Sequence, residues 1–471
     1  MTGHPERSGG GATLYREELE AWAASGAMDL TSRPDGPPLG PPEGFVARLR
    51  AIGDRLARSS AALGRPVDVD VLALLGERAA IAGLSRGGDV SCGGSARLLP
   101  TGDGWLAVNL PRPDDLDLLP AWLAGLRFDA PPGAAQDGEP ERFTHRNGTQ
   151  SARALAPKAL SAPELWMALA SAVATAQAEP LAGRARLLGL PVAALPRHPG
   201  PLPLAVGPLT DLPVIAADLG AAATGAKPCR DLDGVLVVDL SSLWAGPLCT
   251  HLLQRAGARV VKVESLHRPD GARYGPAAFV DLLHAGQEAV AFDFREAAAR
   301  AALRRLLEAA DVVVEGSRPR ALEQLGIVAE ELLTEAGRSG AGPRVWVSIT
   351  GYGRAAPGRD WVAFGDDAAV AGGLVAWDEA GPCFLADAVA DPCSGLVAAA
   401  ATLAALAAGG HWLLDVPMRD VAAHLAGPAP RHCARPPAGL AAEPPMARTA
   451  SRRAPDLGEH TAAILAEFGC S

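Results

Sequence analysis

Between Val235 and Glu264 the chain reads VLVVDLSSLWAGPLCTHLLQRAGARVVKVE, and the spacing of its apolar positions changes twice. An unbroken apolar run, Val235–Leu240, predicts a buried strand. Apolar residues at helical spacing beyond Ala245-Gly246-Pro247 predict a helix, and Arg259–Val263 predicts a second strand. Pro247 suits the first helical turn, where a missing N–H costs nothing, and Gly257 suits the position just past the last turn. Two strands joined by one helix in so short a stretch are expected to lie parallel, with a right-handed crossover. A ligand of such a unit sits beyond the carboxyl ends of its strands, here near Ser241–Ala245 and Glu264–Arg268.

Downstream the alternation continues: strand Ala289–Phe294, helix Glu296–Ala309, strand Asp311–Glu315, helices Ala321–Gly326 and Glu330–Ala336, strand Val345–Ile349, helix Leu396–Ala408 and strand Trp412–Val416. The fold class this predicts is α/β: a Rossmann-like, mostly parallel sheet covered on both faces, with a smaller α+β domain upstream. In that upstream part, FVARLRAIGDRLARSSAAL and the stretch around Asp68–Ala82 read as helices. Ala96–Leu99 and Trp105–Leu110, flanking Gly102-Asp103-Gly104, read as a hairpin. A helix at Pro163–Ala178 and a strand at Pro191–Leu195 follow. The expected division is a loosely ordered lead-in at 1–42 and the small domain at 43–200, with a polar linker near 128–160. A connector at 201–233, the sheet domain at 234–426 and an extended tail with a short terminal helix at 427–471 complete it.

Composition narrows the function classes. With 48% hydrophobic residues in 471, the chain can bury real cores. Its net charge of −10 argues against a broad nucleic-acid surface, while leaving room for local arginine clusters that hold a phosphorylated ligand. The seven cysteines form no CxxC or zinc-type spacing, so no metal site is expected and a reducing cytoplasm fits. The first residues lack the apolar core of a signal peptide. The longest apolar run, Leu396–Ala408, is short for a membrane span, and no membrane partner is expected.

Motifs exclude more than they assign. The turn after Leu240 lacks GxGxxG, and the chain has no GxxxxGK[ST] loop or HExxH pair. Asp391, in LADAVADPCSG, is the best candidate carboxylate. Followed by Pro392, it fits a helix N-cap equally well. The two roles are compatible, because a helix N-terminus favours the ionised form that a nucleophile needs. Gly372, Gly373 and Gly395 would let a thioester come close.

Several segments resemble the family III CoA-transferases, which include formyl-CoA transferase, carnitine CoA-transferase and α-methylacyl-CoA racemase. They are VVDLSSLWAGPLCTHLLQRAGARVVKVE, AVAFDF with its helix, ADVVVEGSRPRALEQLGI, VSITGYGRAAPGRD and VADPCSGLVAAAATLAAL, in the family's order. The resemblance implies an enzyme that moves CoA from an acyl-CoA to a carboxylic acid, with Asp391 as the nucleophile. An acyl-aspartyl anhydride and an aspartyl-CoA thioester would be its intermediates. CoA would be a substrate, with no cofactor bound covalently at rest, and a homodimer is implied.

By the same resemblance the CoA site maps to Leu243, Trp244 and Ala245. Ser265, Gln287 and Gly316 stand where relatives often carry an arginine, a lysine and an asparagine. Arg268, Arg273, Arg318 and Arg320 are the candidates to replace that lost charge. Where racemases place a second acid/base histidine this chain has Phe364, which disfavours racemase or epimerase chemistry. A silent CoA-binding paralogue is the remaining alternative, suggested by the three changed contact positions. GGSARLLPTGDGWLAVNL and ELWMALASAVATAQAEPLAGRARLLGLPVAAL resemble the family's small domain but precede the CoA-binding segment, implying a rearranged or fused chain.

Overall fold

The computed structural model describes residues 9–126, 162–197, 207–220, 226–428, 435–437 and 439–469. The linker expected near 128–160 lies outside them. Twelve strands are described: β1 (Ala96–Pro100), β2 (Trp105–Asn109), β3 (Val192–Ala194), β4 (Ile215–Asp218), β5 (Leu236–Leu240), β6 (Arg259–Ser265), β7 (Glu288–Phe292), β8 (Val312–Glu315), β9 (Val345–Thr350), β10 (Ala376–Asp378), β11 (Gly381–Cys383) and β12 (Trp412–Pro417).

Seven of them form one sheet in the order β4-β12-β9-β8-β5-β6-β7, parallel throughout except for β4, which runs antiparallel to β12. The expected βαβ unit is there: β5 and β6 pair in parallel, with Val238 opposite Val261. The helix Ala245–Arg255 joins them and Gly257 follows it at φ 119°. Side chains alternate between two cores. Val237 faces one with Leu248 and Leu252, while Leu236 and Val238 face the other with Leu303, Leu307 and Leu333. That two-faced burial is why these strands read as continuous apolar runs.

The helix Ala390–Ala408, almost wholly buried, is the centre of the first core. By length and hydropathy it could cross a membrane, but 89% of it is buried inside the protein. Its alanines let three helices approach it closely: Ala245–Arg255, Phe45–Ala62 and Met418–Ala426. At Gly395 a Cβ would lie 2.5 Å from the Ala245 carbonyl oxygen and 3.1 Å from Leu248 Cβ, so the crossing requires glycine.

The first part of the chain departs from expectation in three places. Gly9–Ala24 is helical, and Trp22, Met28, Leu30 and Leu39 are buried rather than loosely ordered. Trp22 packs edge-on to Phe45, 5.6 Å between ring centroids, and donates its indole N–H to the Leu39 carbonyl at 3.1 Å. The helix expected at Asp68–Ala82 shrinks to a 3-10 turn, Ala73–Leu75, and a short helix, Glu77–Ala82. Pro445 from the extended tail packs at the break, where a Cβ on Gly76 would be 2.9 Å from Pro445 Cβ. Finally, the connector contributes β4, and residues 45–75 supply Phe45, Leu49, Ile52 and Leu75 to the core of the large sheet.

Strands β1 and β2 pair as the hairpin expected upstream, and β3 joins them in one antiparallel sheet packed on Trp122, Trp166 and the helix Ala178–Leu187. A fourth apolar cluster joins this small sheet to the helix Gly365–Ala371 and the β10–β11 hairpin through Leu98, Ala193, Val370 and Phe384.

Candidate active site

Asp391 is the second residue of the helix Ala390–Ala408, whose N-cap is Val389. It is therefore not the cap, and among the described residues its carboxylate makes no hydrogen bond or ion pair. The carboxylate faces the start of another helix: a Cβ on Gly365 would be 2.5 Å from Asp391 Oδ2 and 2.4 Å from the Ala388 carbonyl oxygen. Gly365 is thus the glycine that makes room for this side chain. Gly372 meets the helix Met418–Ala426 instead, and Gly395 meets Ala245, so neither opens space for a ligand.

Three more carboxylates surround it. Asp366 and Asp367 come from the helix Gly365–Ala371, and Asp387 from the bend before Asp391. Desolvation drives Asp391 up to about 7, with the three neighbouring acids adding to the rise and Arg78 opposing it. Burial likewise raises Asp366 and Asp367 to about 7. Each of the three neighbours is held from the first part of the chain. Asn109 Nδ2 donates to Asp367 at 2.9 Å, the Ser91 hydroxyl bonds Asp366, and Arg78 grips Asp387 with two N–H groups, one of them at 2.8 Å. The Arg78 guanidinium also lies over the Trp244 ring, 5.6 Å from its centroid. Glu77, next to it, is tied to Arg448 from the tail at 2.5 Å and 2.9 Å.

Two loops of strained backbone flank this cluster. Leu243 (φ 70°), Ala386 (φ 50°) and Ala388 (φ 44°) are three of the four described non-glycine residues with positive φ. Such residues cost about 1–3 kcal/mol each and persist only where surroundings hold them. Around Asp387 the hold is the Thr31 hydroxyl, which accepts the Ala386 N–H at 2.9 Å, together with the Arg78 pair. At Leu243 it is Asp270, which accepts the Leu243 N–H at 2.9 Å and pairs with the fully buried Lys262 at 3.1 Å. Lys262 also donates to the Ser241 carbonyl and lies 3.7 Å from Asp239, which accepts the Ser241 N–H and the Thr250 hydroxyl. Trp244 is buried and edge-on to Phe279, and Ala245 touches Gly395, one helical turn from Asp391. The turn thus meets the helix of Asp391 through Ala245 and the carboxylate cluster through the Arg78 guanidinium over Trp244.

The remaining expected residues divide. Ser265, Arg268, Gly316 and Arg318 all lie at or just past the carboxyl ends of β6 and β8. Ser265 Oγ accepts the N–H groups of His267 and Arg268, both at 3.3 Å, and Gly316 lies beside Ser241. Arg268 is exposed, and Arg318 is lowered by burial and by the nearby charges of Arg320, Arg112 and Arg268. Such a gathering of guanidinium groups suits an anion. Arg273, by contrast, is spent on Glu264 at 2.6 Å, and Arg320 faces Asp360 at 3.5 Å.

Gln287 is turned inward. It is buried, its amide oxygen 2.8 Å from His284 Nδ1 and its amide nitrogen donating to the Leu283 carbonyl. Phe364 precedes Gly365 and gives its N–H to Asp367 at 3.0 Å. No group of three or more His, Cys, Asp or Glu among the described residues is placed to hold a metal ion.

Residues 232–434 match CoA-transferase family III. Succinyl-CoA–D-citramalate CoA-transferase of Chloroflexus aurantiacus is 32% identical over 155 residues, covering 31% of this chain and 37% of that protein. Acetyl-CoA:oxalate CoA-transferase of Acetobacter aceti is 31% identical over 148 residues, covering 30% and 36%. Alpha-methylacyl-CoA racemase of Homo sapiens is 36% identical over 124 residues, covering 26% and 29%. The chain thus spans little more than a third of the length of the first two. A solved structure of a hypothetical protein (Rv3272) from Mycobacterium tuberculosis covers 41% of this chain and 57% of its own, at 29% identity and a TM-score of 0.37. Asp391 and the turn Leu243–Ala245 lie inside the family III region; Arg78, Ser91 and Asn109 lie outside it.

Proposed function

We propose that this protein transfers CoA from an acyl-CoA thioester to a carboxylic acid, with Asp391 as nucleophile. The observation that carries this reading is an uncommitted carboxylate at a helix N-terminus inside the family III region, beside the turn that follows β5. The acyl-CoA would lie across the carboxyl ends of β5, β6 and β8, its phosphates toward Arg268 and Arg318 and its thioester toward Asp391.

A carboxylate oxygen of Asp391 attacks the thioester carbonyl carbon and the C–S bond breaks, giving a mixed acyl-aspartyl anhydride and CoA thiolate. The thiolate then attacks the aspartyl carbonyl and expels the first carboxylate product. The acceptor carboxylate attacks the resulting aspartyl thioester, forming a second anhydride and freeing thiolate again. Attack of that thiolate on the acceptor's acyl carbon yields the new thioester and regenerates Asp391. Overall one thioester is exchanged for another, so no external energy source is required. Two-base racemisation has less support, because Phe364 occupies the position where a second proton carrier is needed.

Replacing Asp391 by Ala is expected to lower transfer by at least about 10³-fold while cooperative unfolding is retained. In the wild type, hydroxylamine added with a reactive acyl-CoA should leave a hydroxamate at Asp391, read by peptide mass spectrometry. Undiminished turnover in the Ala variant would refute the assignment. Deuterium exchange at the substrate α-carbon without an adduct would indicate a racemase instead.

A further inference from the structure

We propose that Arg78, which lies outside the family III region, is a positioning residue for Asp391, pinning the strained bend at Ala386–Ala388 and setting positive charge beside the nucleophile. The proposal rests on the nucleophilic reading of Asp391 and extends it to a segment more than 300 positions earlier in the chain.

Two independent observations support it. The first is geometric: Arg78 holds Asp387 with a planar two-point grip, and Asp387 lies between Ala386 and Ala388, both left-handed. That bend leads directly into the helix bearing Asp391, so its conformation sets where the carboxylate points. The second is electrostatic. The groups around Asp391 are Asp366 and Asp367 from the helix Gly365–Ala371, Asp387 from the bend, Cys393 on its own helix and Arg78 from the helix Glu77–Ala82. Three of them are acids that oppose ionisation of Asp391, and Arg78 favours it. Arg78 is held in turn: its helix is anchored by the Glu77–Arg448 pair and its guanidinium rests on Trp244. It therefore connects the first part of the chain, the turn after β5 and the nucleophile's helix.

The test compares the full-length protein with Arg78→Met, Arg78→Lys and Asp387→Asn. Protonated carboxyl groups react with a water-soluble carbodiimide and an amine, so labelling of Asp391, followed by peptide mass spectrometry from pH 5 to 9, reports its ionisation without turnover. Arg78→Met is expected to move the labelling midpoint up by about one pH unit and to shift the pH profile of transfer the same way. Arg78→Lys keeps the charge and should leave the midpoint near that of the wild type. Asp387→Asn removes an opposing acid and should move the midpoint down.

Opposite shifts in Arg78→Met and Asp387→Asn support the proposal, because a purely structural role would not separate them by sign. An unmoved midpoint in a folded Arg78→Met protein overturns it. Should that variant not fold, an unmoved midpoint in Asp387→Asn, or one shifted well away in Arg78→Lys, overturns it instead. Absence of CoA transfer in the wild type would defeat the functional reading and leave the labelling result standing.

Discussion

The two strained loops beside the candidate nucleophile are stabilised in different ways. The turn at Leu243 is braced by its own sheet: Lys262 from β6, Asp239 from β5 and Asp270 just beyond β6. The bend at Ala386–Ala388 is braced by Thr31 and Arg78, residues from the opposite end of the chain. A local brace forms with the βαβ unit itself. The distant one forms only when the first and last thirds of the chain have come together. The turn at Leu243 can thus be in place before the candidate nucleophile is.

Substitutions at each brace test this difference. The largest effect is expected at the local one. Lys262→Met would leave Asp239 and Asp270 buried without their cation and cost about 3–5 kcal/mol, read as a lower urea midpoint with a raised KM for acyl-CoA. A stable variant with unchanged KM would show that the turn does not depend on Lys262.

A smaller loss is expected at the distant brace. Thr31→Val keeps the side-chain shape but strands the buried Ala386 N–H, costing about 1–3 kcal/mol. Here kcat should fall while KM holds, because the altered loop orients Asp391 rather than the thioester. A fall confined to KM would contradict the division between the loops.

A third substitution has an effect of the opposite sign. The Asp391 carboxyl titrates at about 7 in the folded protein and near 4 in an unfolded chain. Between those values the folded state binds the extra proton. Stability contributed by this group is therefore complete below the lower value and lost as pH rises to the upper one. Asp391→Asn removes that dependence. It should gain on the wild type as pH climbs from 4 to 7, reaching about 4 kcal/mol at pH 8. Denaturant titrations at several pH values measure the gain, and a variant uniformly less stable than the wild type would contradict the raised pKa.

How much of this was legible in the sequence depended on how local each cause was. The strands of the large sheet were found because burial on both faces writes an apolar run into each one. β4 was missed: its Ile-Ala-Ala-Asp is largely exposed at a sheet edge and carries no alternation. Helix order in the lead-in was hidden by the Pro/Gly texture of Arg33–Pro42, although Trp22 was a signal that something there is buried. Asp391 was visible through resemblance, whereas the residues that hold its neighbours were not. Arg78 meets Asp387 across 309 positions and Thr31 meets Ala386 across 355, separations that no local periodicity records. Gln287 shows the converse case. A position matched by resemblance looked ligand-facing, yet its amide is used internally by His284.

The helix Ala390–Ala408 also bears on how the protein is made. It supplies the middle of a core whose other members include Trp22, Phe45, Leu49 and Ile52. During synthesis those early residues leave the ribosome with their apolar faces bare, and the surface that covers them is translated more than 300 residues later. A nascent chain halted anywhere before Ala390 would carry that exposed surface for the whole of the pause. Chaperone occupancy on the first helices, and aggregation of stalled chains, would follow from where in the message the core helix is encoded.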